Sequence, residues 1–419
     1  MKVLVVGSGG REHALCWAVS ASPLLTELLI APGSSAMSEL GRLCNVAADD
    51  LDGLVALAKA EAVDLVIIGP EIPLVEGLAD KLDDAGIKAF GPRAAAAQLE
   101  GSKEFARAFC DRHNIPQPAW KRFADASAAK DFAKSLHGYC VIKADGLAAG
   151  KGVIVCDTQV DAEHAIDELL GGRFGAASNR ILVEERIEGP EISAFALLDG
   201  ATVQWMASAR DHKRAFDGDE GPNTGGMGAI SPSPHETDIL KAEILDKIIK
   251  PVAAGMAEEA MPYTGILYAG LMLTKTGPQV IEFNCRFGDP EAQVILPRLR
   301  TDFLSAVVTQ IEGGLDHFDM RWSDETAVTV ILAANGYPGS YEKGSQINGL
   351  DIAAAQSDVT IFHAGTKIAD DGSILASGGR VLAVTAMGTD AESARHKAYG
   401  AVDIIDWPDG FCRRDIAAT

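Results

Sequence analysis

The sequence has few cysteines: 7 among 419 residues, an odd number with no two spaced as CxxC. This pattern is typical of reduced thiols in a cytoplasmic protein. The sequence also has no apolar run near the roughly 20 residues that a membrane-spanning helix requires. Its first residues, MKVLVVGSGG, continue into REH rather than into the apolar core of a signal peptide. We therefore expect a cytoplasmic protein without a membrane segment.

Basic residues are also scarce. There are 37 lysines and arginines against 59 aspartates and glutamates, which gives a formal net charge of −22 at pH 7. No basic run stands out, so we expect neither nucleic acid nor an anionic membrane as a partner. An anionic small molecule would have to be bound by a few locally arranged groups.

The composition is otherwise that of a folded protein, with 47% hydrophobic and 23% charged residues. A chain of this length exceeds what one hydrophobic core usually organises, so several domains are expected. Residues 1–102 alternate apolar runs with helical segments, which predicts an α/β domain with a doubly wound parallel sheet. The runs are KVLVVG, ELLIAPG, VDLVIIGPE and IKAFGP, and the segment PLVEGLADKLDDAG is predicted to be helical.

Three further units follow along the chain. Residues 103–122 and 190–325 mix strands with long helices and are assigned to a central α+β domain. Residues 123–189 form a compact α+β unit flanked by breaks, which we interpret as a small lid that moves separately. Residues 326–419 are dominated by strands and are assigned to a small β-rich C-terminal domain.

The stretch VIEFNCRFGDPEAQ, residues 280–293, gathers polar groups on one side of a predicted strand. Side chains alternate along a strand, so one face is predicted to pack on a core and the other to carry polar groups. The core face has Ile281, Phe283 and Cys285, and the polar face has Glu282, Asn284 and Arg286. A carboxylate and an amide oxygen suit a magnesium ion that also keeps water and phosphate oxygens, and a guanidinium can reach the same phosphate.

The bend after this strand carries two more acids. Gly288 and Pro290 turn the chain, which is expected to return Asp289 and Glu291 to the polar face. The alternative interpretation of the whole stretch is a surface strand whose polar residues are solvated.

A glycine-rich loop, VIKADGLAAGKGV at residues 141–153, follows another predicted strand. Gly146, Gly150 and Gly152 allow a backbone to approach phosphates closely, and Lys143 and Lys151 supply positive charge. The pattern is not a Walker A loop. We interpret it as a flexible flap over phosphate groups, with an ordinary loop as the alternative.

The segment LVEERIEGPE, residues 182–191, combines a strand end with a turn. Glu184 and Glu185 lie where the backbone can offer hydrogen bonds to an adenine edge, and Glu191 lies beyond the turn. A carboxylate here can take ribose hydroxyls, although acidic residues beside a turn usually face water.

The N-terminal VGSGGREHA departs from a dinucleotide-binding fingerprint. Gly7 and Gly9 fit GxGxxG, but Glu12 stands in place of the last glycine. What remains is a helix N-terminus with free N–H groups, which makes Gly9 and Gly10 candidate ligands of a phosphate. Glu71, after the strand DLVIIGPE, can take ribose hydroxyls or can be an acid favoured in a first helical turn.

Together these stretches resemble the phosphoribosylamine–glycine ligases of the ATP-grasp superfamily over nearly the whole chain. The resemblance is carried by VLVVGSGGREHAL, GPEIPLVEGL, LEGSKEFA, KADGLAAGKGV, DHKR, GDEGPNTGGMGA, YAGLM, EFNCRFGDPEAQ, FHAGT and GGRVLAVTA. It implies a doubly wound N-terminal domain, an ATP-grasp fold made of the lid and the central domain, and the C-terminal domain. It also implies a reaction that joins glycine to 5-phosphoribosylamine with ATP through glycyl phosphate, giving glycinamide ribonucleotide, ADP and phosphate in de novo purine synthesis.

The resemblance also implies roles for individual residues. ATP would be bound by Lys103, Lys143, Gly150, Lys151, Glu184, Glu185, Ile187 and Glu191, and Mg²⁺ or Mn²⁺ by Glu282 and Asn284. Catalytic roles would fall to Arg286, Asp211 and Lys213. The substrates would contact Gly9, Gly10, Glu71, Asn223, Thr224, Gly225, Gly226, Asp289 and Glu291. The chain departs from the family pattern at Arg210, where glutamine is expected, and at Arg186, where the residue is usually apolar or aromatic.

Three alternatives are weighed against this assignment. Another ATP-grasp enzyme would share Lys143, Glu282 and Asn284 but should lack GPNTGGMG. An NAD-dependent oxidoreductase would explain the first hundred residues, but the fingerprint is broken. A nucleotide-sensing protein without turnover would have no need of both lysines and both metal ligands. We expect a monomer that makes transient contacts with neighbouring pathway enzymes.

Overall fold

The computed structural model describes residues 1–147, 152–172 and 179–418. Its N-terminal part contains the predicted parallel sheet, with the strand order β3-β2-β1-β4-β5. The strands are β1 (Lys2–Gly7), β2 (Glu27–Pro32), β3 (Arg42–Leu43), β4 (Leu65–Ile68) and β5 (Lys88–Phe90). Crossovers lead from the central β1 region to both edges, so the sheet is doubly wound as predicted.

The helices of this domain differ from the prediction at one point. They are α1 (Gly10–Ser20), α2 (Leu51–Ala60), α3 (Glu71–Val75), α4 (Leu78–Asp84) and α5 (Ala94–Gly101). The segment predicted to be helical after β4 forms two helices because Gly77, between them, has a left-handed φ of 89°. The two-residue strand β3 was not predicted, since so short an element has no detectable periodicity.

The predicted lid region contains an antiparallel sheet with the order β6-β9-β7-β8. After α6 (Lys103–Arg112) come β6 (Trp120–Phe123), α7 (Ala126–Ser135), β7 (Cys140–Ala144), β8 (Val153–Cys156), α8 (Gln159–Leu170) and β9 (Ile181–Glu185). Alternate residues of β7 and β9 join the two helices in a separate apolar core. The opposite face of the sheet therefore carries Lys143 and Glu184.

The central and C-terminal parts share one antiparallel sheet with the order β16-β15-β10-β11-β14-β17-β22-β19. Its strands are β10 (Glu191–Asp199), β11 (Thr202–Asp211), β14 (Gly228–Ser231), β15 (Thr264–Thr274), β16 (Gly277–Asn284), β17 (Thr326–Ala334), β19 (Val359–His363) and β22 (Arg380–Gly388). Because β14 pairs with both β11 and β17, the strands assigned to a separate C-terminal domain continue the central sheet.

The remaining elements decorate this sheet. Short pairings join β12 (Arg214–Phe216) to β13 (Glu220–Asn223), and β18 (Gln346–Ile347) to β21 (Ile374–Ala376) and β20 (Thr366–Ile368), while β23 (Gly410–Phe411) pairs with β17. The helices are α9 (Asp238–Ile244), α10 (Lys250–Glu258), α11 (Ala292–Ile295), α12 (Phe303–Ile311), α13 (Leu350–Ala354) and α14 (Ala391–Val402). A π-helical turn, Leu245–Ile249, joins α9 to α10.

Two apolar clusters run from the N-terminal sheet into the central domain. One contains Leu4 with Phe109 and Phe283, and the other contains Val5 with Phe195. The N-terminal and central parts are therefore packed through a common core. Within the described residues, no helix combines the length and the apolar character needed to cross a membrane.

The junction between β14 and β17 gives a first prediction. A Cβ atom at residue 228 would lie 2.6 Å from the carbonyl oxygen of Thr329 and 2.7 Å from the side chain of Ile416. We expect Gly228→Ala to lower the free energy of unfolding by about 1–3 kcal/mol, because the backbone of β17 would have to move.

Chemical denaturation of the whole chain measures this effect. Gly400→Ala is the control, because Gly400 is exposed in α14 and a Cβ atom there would meet no atom within 4 Å. The control should raise the free energy of unfolding by up to about 1 kcal/mol. An unchanged denaturation midpoint in Gly228→Ala would contradict the close approach of the two strands.

Candidate nucleotide and substrate site

Strand β16 presents the predicted polar face. Glu282 and Asn284 lie opposite Gly270 and Tyr268 of β15, and Phe283 is buried in the core. The described residues provide no side-chain hydrogen bond or ion pair to the Glu282 carboxylate or the Asn284 amide. Both groups are therefore available to a ligand.

The prediction that Ile281 faces the core is wrong. Strand β16 has a β-bulge, since Gly270 pairs with Glu282 while the next residue of β15, Leu271, pairs with Val280. Ile281 is the extra residue, and Val280 takes its place in the core at 1% exposure. A bulge leaves backbone groups outside the ladder, and the Ile281 carbonyl oxygen accepts side-chain hydrogen bonds instead.

Two of the predicted nucleotide-binding lysines lie within electrostatic reach of Glu282 on β16. Lys143 Nζ donates to the Ile281 carbonyl oxygen at 2.9 Å. Lys103, the first residue of α6, donates from Nζ to the Gly146 carbonyl oxygen at 2.7 Å. Burial lowers the pKa of both lysines, and the Glu282 carboxylate opposes this effect in each. Glu282 therefore lies within electrostatic reach of both ammonium groups.

Two other predicted phosphate ligands, Gly150 and Lys151, lie outside the described residues. Their contribution to nucleotide binding stays a prediction. The neighbouring Gly146 has a φ of 123°, a conformation that few residues other than glycine adopt.

The Glu184 carboxylate is bound by two side chains of the protein and is not free to bind a ligand. Arg107 binds it through two hydrogen bonds, from Nε to Oε1 at 2.8 Å and from Nη2 to Oε2 at 2.7 Å. Lys143 Nζ lies 2.8 Å from the same Oε2. Burial would raise the pKa of Glu184, but Arg107 and Lys143 lower it to about 2. The carboxylate is therefore ionised and already paired.

Arg107 is a residue that sequence reasoning missed. It is 3% exposed and lies one helical turn after Lys103 in α6. The spacing of four residues placed it on the same side of the helix as Lys103, which was the available signal.

The chain leaves the lid sheet after Glu185, the last residue of β9. Glu185 is exposed and donates its backbone N–H to the Ala119 carbonyl oxygen at 2.8 Å, and Ile187 is half-buried. Arg186 lies with its guanidinium carbon 4.4 Å from the centre of the Tyr139 ring and forms an ion pair with Asp157. The cation–π contact and the ion pair thus give the Arg186 side chain two partners within the lid. The adenine-binding role of residues 184–187 stays a prediction.

Asp211, Lys213 and Glu191 form a second cluster. Lys213 Nζ lies 3.1 Å from Asp211 Oδ1 and pairs with the Glu191 carboxylate. Burial would lower the pKa of Lys213, but the two carboxylates raise it well above its usual value. Burial raises the pKa of Asp211, whereas Lys213 lowers that of Glu191. The structure thus joins two predicted catalytic residues to the predicted ribose ligand.

Arg286 is held by two carboxylates from the N-terminal part. Its Nη2 donates to Glu100 Oε1 at 2.6 Å, and its Nε lies 3.4 Å from Glu71 Oε2. Glu71 is the first residue of α3, which agrees with the interpretation as an acid in a first helical turn, and its role toward ribose hydroxyls stays a prediction. Glu100 also accepts the backbone N–H of Cys285 at 2.7 Å and was missed as a site residue. Its presence in LEGSKEFA, one of the segments that carry the family resemblance, was the available signal.

The start of α1 faces the turn after β16. Glu12 Oε2 accepts the Gly9 N–H at 2.8 Å, so part of the helix N-terminus is already capped. A Cβ atom at residue 10 would lie 2.6 Å from Gln293 Nε2 and 3.6 Å from Asp289 Oδ1. Gly9 and Gly10 therefore lie next to Asp289, and the substrate role predicted for all three stays a prediction.

The loop of residues 223–226 lies beside this turn. Thr224 donates its N–H to the Lys213 carbonyl oxygen at 2.7 Å, and Asn223 ends β13. Arg380 joins the loop to the turn: Nη1 donates to the carbonyl oxygens of Gly225 at 2.6 Å and Asp289 at 2.7 Å. Its Nη2 lies 3.1 Å from Asp289 Oδ2. Gly226 has a φ of 107°, and a Cβ atom there would lie 2.5 Å from Pro290 Cδ.

The donors available for a divalent ion are few. In the described part of the chain, no group of three or more His, Cys, Asp or Glu side chains has the geometry of a metal site. Glu282 and Asn284 supply two oxygen donors from one face of one strand. This set fits Mg²⁺ or Mn²⁺ that takes its remaining ligands from phosphate groups and water.

The fold and these clusters define an ATP-grasp ligase. Family models of phosphoribosylglycinamide synthetase match the chain as the N domain over residues 1–100, the ATP-grasp (A) domain over 101–292 and the C domain over 327–419. The chain therefore belongs to the phosphoribosylglycinamide synthetase, or phosphoribosylamine–glycine ligase, family.

Relatives and solved structures agree. The chain is 51% identical to the phosphoribosylamine–glycine ligase of Mesorhizobium japonicum and 49% identical to that of Brucella melitensis, in each case over 99% of this chain and 97% of the relative. The crystal structure of the Thermotoga maritima phosphoribosylamine–glycine ligase is 31% identical, with a TM-score of 0.85 over 99% of this chain and 100% of that chain. The biotin carboxylase of Campylobacter jejuni, at 15% identity and a TM-score of 0.78 over 99% and 94% of the two chains, shares the fold.

Glu291 gives a prediction about pH. It is 3% exposed at the start of α11, and burial together with Asp211 raises its pKa from 4.5 to about 7. The folded state therefore holds an extra proton between these values, so this residue makes stability fall as pH rises from about 4.5 to about 7. This rise in the pKa of Glu291 corresponds to a change of about 3 kcal/mol in the free energy of unfolding across that pH range.

The variant Glu291→Gln stays neutral and lacks this dependence. As the pH is raised from 4.5 to 7.5, the free energy of unfolding of the variant relative to that of the wild type should increase by up to about 3 kcal/mol. Urea denaturation at each pH measures this difference. A difference between the two proteins that does not vary with pH would contradict the raised pKa.

Proposed function

We propose that this protein is an ATP-dependent ligase that joins glycine to 5-phosphoribosylamine through glycyl phosphate, for purine synthesis in the cytoplasm. The observation that carries the proposal is the meeting of the lid with β16, where Lys143 Nζ lies 2.9 Å from the carbonyl oxygen of Ile281. Because Ile281 precedes Glu282 in β16, this contact supports a nucleotide role for Lys143 beside the proposed metal ligand.

The nucleotide is assigned to the cleft between the lid sheet and β16. Lys103 and Lys143 would bind its phosphates, together with Gly150 and Lys151 of the glycine-rich loop. The backbone of residues 184–187 would bind the adenine edge. Within this segment Ile187 lies beyond the end of β9, whereas Glu184 pairs with both β6 and β7, and Glu185 pairs with β7 and donates its N–H to Ala119.

A divalent ion is assigned to Glu282 and Asn284. When bound there, Mg²⁺ or Mn²⁺ would neutralise charge on the phosphate oxygens of ATP. Both donors lie on the face that Lys103 and Lys143 approach, which supports a shared phosphate site.

The reaction needs an activated carboxylate. A carboxylate oxygen of glycine attacks the γ-phosphorus of ATP and ADP leaves; the amine nitrogen of phosphoribosylamine then attacks the carbonyl carbon, and phosphate leaves as the nitrogen loses a proton. Arg286 and Lys213 supply fixed positive charge, and Asp211 orients Lys213 at 3.1 Å. Acyl phosphates hydrolyse readily, so closure of the lid formed by residues 123–189 would be needed to exclude water from the intermediate.

The amine substrate is assigned to the surface where α1, the turn after β16 and the 223–226 loop meet. Gly9 and Gly10 lie beside Asp289, and Arg380 ties Asp289 to Gly225. Glu71 and Glu291 border the same region through their charge interactions with Arg286. A monomer with transient contacts to pathway enzymes stays the expected state.

The substrate assignment is tested by ADP release. We expect release to require both glycine and freshly generated phosphoribosylamine, since the amine must capture the acyl phosphate. Reactions with another amino acid, and reactions without an amine acceptor, are the controls. Equal ADP release in either control would refute the assignment.

The metal assignment is tested by Glu282→Ala. We expect turnover to fall by about 100-fold or more, with an unchanged unfolding midpoint, because phosphate charge would lose its neutralising partner. Binding of Mn²⁺ in the presence of ADP, followed by electron paramagnetic resonance, should weaken in parallel. Glu258→Ala is the control, since the Glu258 side chain is 74% exposed in α10. Near-normal activity of Glu282→Ala would remove the metal role.

A further inference from the structure

A buried ionic cluster joins the lid to the central domain behind the proposed phosphate site. Its members are Arg107 of α6, Lys143 of β7 and Glu184 of β9, which are 3%, 7% and 2% exposed. Arg107 and Lys143 both bind the Glu184 carboxylate. The cluster thus connects two strands of the lid sheet with a helix outside that sheet.

The same two cations also bind the bulge of β16. Arg107 donates from Nη1 to the Val280 carbonyl oxygen at 2.7 Å and from Nη2 to the Ile281 carbonyl oxygen at 2.9 Å. Lys143 Nζ donates to the Ile281 carbonyl oxygen at 2.9 Å. The residue after Ile281 is Glu282, so the cluster fixes the backbone that carries the proposed metal ligand.

The donors of Arg107 are all used inside the protein. A guanidinium has five N–H donors. Two go to Glu184, two to the carbonyl oxygens of β16, and the fifth to Gln117 Oε1 at 3.3 Å. Arg107 therefore has no donor left for a nucleotide, and its role must act through its neighbours.

Lys143 differs in this respect. An ammonium group has three donors, and the described residues take two of them, through Glu184 and Ile281. Arg107 binds both carboxylate oxygens of Glu184, and Lys143 shares only one of them, Oε2. Two cations therefore share one carboxylate, and net positive charge is left beside the Glu282 carboxylate.

We propose that Arg107 is a positioning residue for nucleotide binding: by holding Glu184 and the β16 bulge, it fixes Lys143 so that the third N–H of its ammonium is directed at a nucleotide phosphate. This inference rests on the proposed function, in which Lys143 binds ATP. It assigns Arg107 an effect on ATP rather than on glycine, because its contacts lead to Lys143 and not to the Asp211 and Lys213 cluster.

The test compares steady-state kinetics of the full-length chain, measured by ADP release. Arg107→Met should raise the KM for ATP by about tenfold or more, as expected for a misplaced charged hydrogen bond, while the KM for glycine changes by less than about twofold. Arg107→Lys restores the charge without the fork and should show a smaller rise in the KM for ATP. Arg112→Met is the matched control, because Arg112 lies on the same helix, is 46% exposed and pairs with Glu259 instead.

A double variant separates positioning from loss of structure. If Arg107 acts through Lys143, Arg107→Met combined with Lys143→Met should have the same KM for ATP as Lys143→Met alone. Additive effects, an equal rise in both KM values, or a lower melting temperature with an unchanged KM for ATP would each overturn the inference. Should Arg107→Met fail to fold, Arg107→Lys decides, and a wild-type KM for ATP in that variant would refute the role.

ADP release by the wild-type enzyme distinguishes a failure of this inference from a failure of the proposed function. A wild-type enzyme that releases ADP only with glycine and phosphoribosylamine, together with Arg107 variants of unchanged KM for ATP, would overturn the inference alone. A wild-type enzyme without ADP release would overturn the proposed function itself.

Discussion

A charged group that leaves water must find a partner, and this constraint organises the region around the site. Glu12, Glu100 and Glu184 are all at most 8% exposed. Each is bound by an arginine: Glu12 by Arg11, Glu100 by Arg286 and Glu184 by Arg107. Removing one partner from such a pair leaves an uncompensated buried charge, which costs about 3–5 kcal/mol. The positions of the carboxylates therefore fix the positions of the cations.

These pairs join parts of the chain that are far apart in sequence. Glu100 at the end of α5 meets Arg286 after β16, Arg107 of α6 meets Glu184 of the lid, and Arg380 of β22 meets Asp289. The proposed phosphate and substrate regions are consequently built from residues of all four predicted domains. The shared sheet through β14 and β17 has the same effect, because it makes the C-terminal strands a continuation of the central ones.

Burial and charged neighbours together set the protonation states on which the proposed chemistry depends. The pKa of Lys213 is raised by Asp211 and Glu191, so its ammonium stays charged over the range in which enzymes work. The pKa of Glu184 is lowered to about 2, so that carboxylate stays ionised, whereas Glu291, with a pKa of about 7, changes its charge near neutral pH. Neighbouring carboxylates thus differ because their partners differ, not because of their residue type.

Sequence alone determined the features that depend on neighbours along the chain. Period-two alternation correctly placed Glu282 and Asn284 opposite Phe283, and continuous apolar runs correctly indicated the parallel N-terminal sheet. Only the tertiary structure decided the bulge at Ile281, the partners of Glu184 and the pairing of β14 with β17. The bulge depends on the register with the neighbouring strand β15, and the other two depend on segments far away in the sequence. Backbone sterics and side-chain alternation act between adjacent residues, whereas ion pairing and strand register are chosen by whichever group the folded chain brings near.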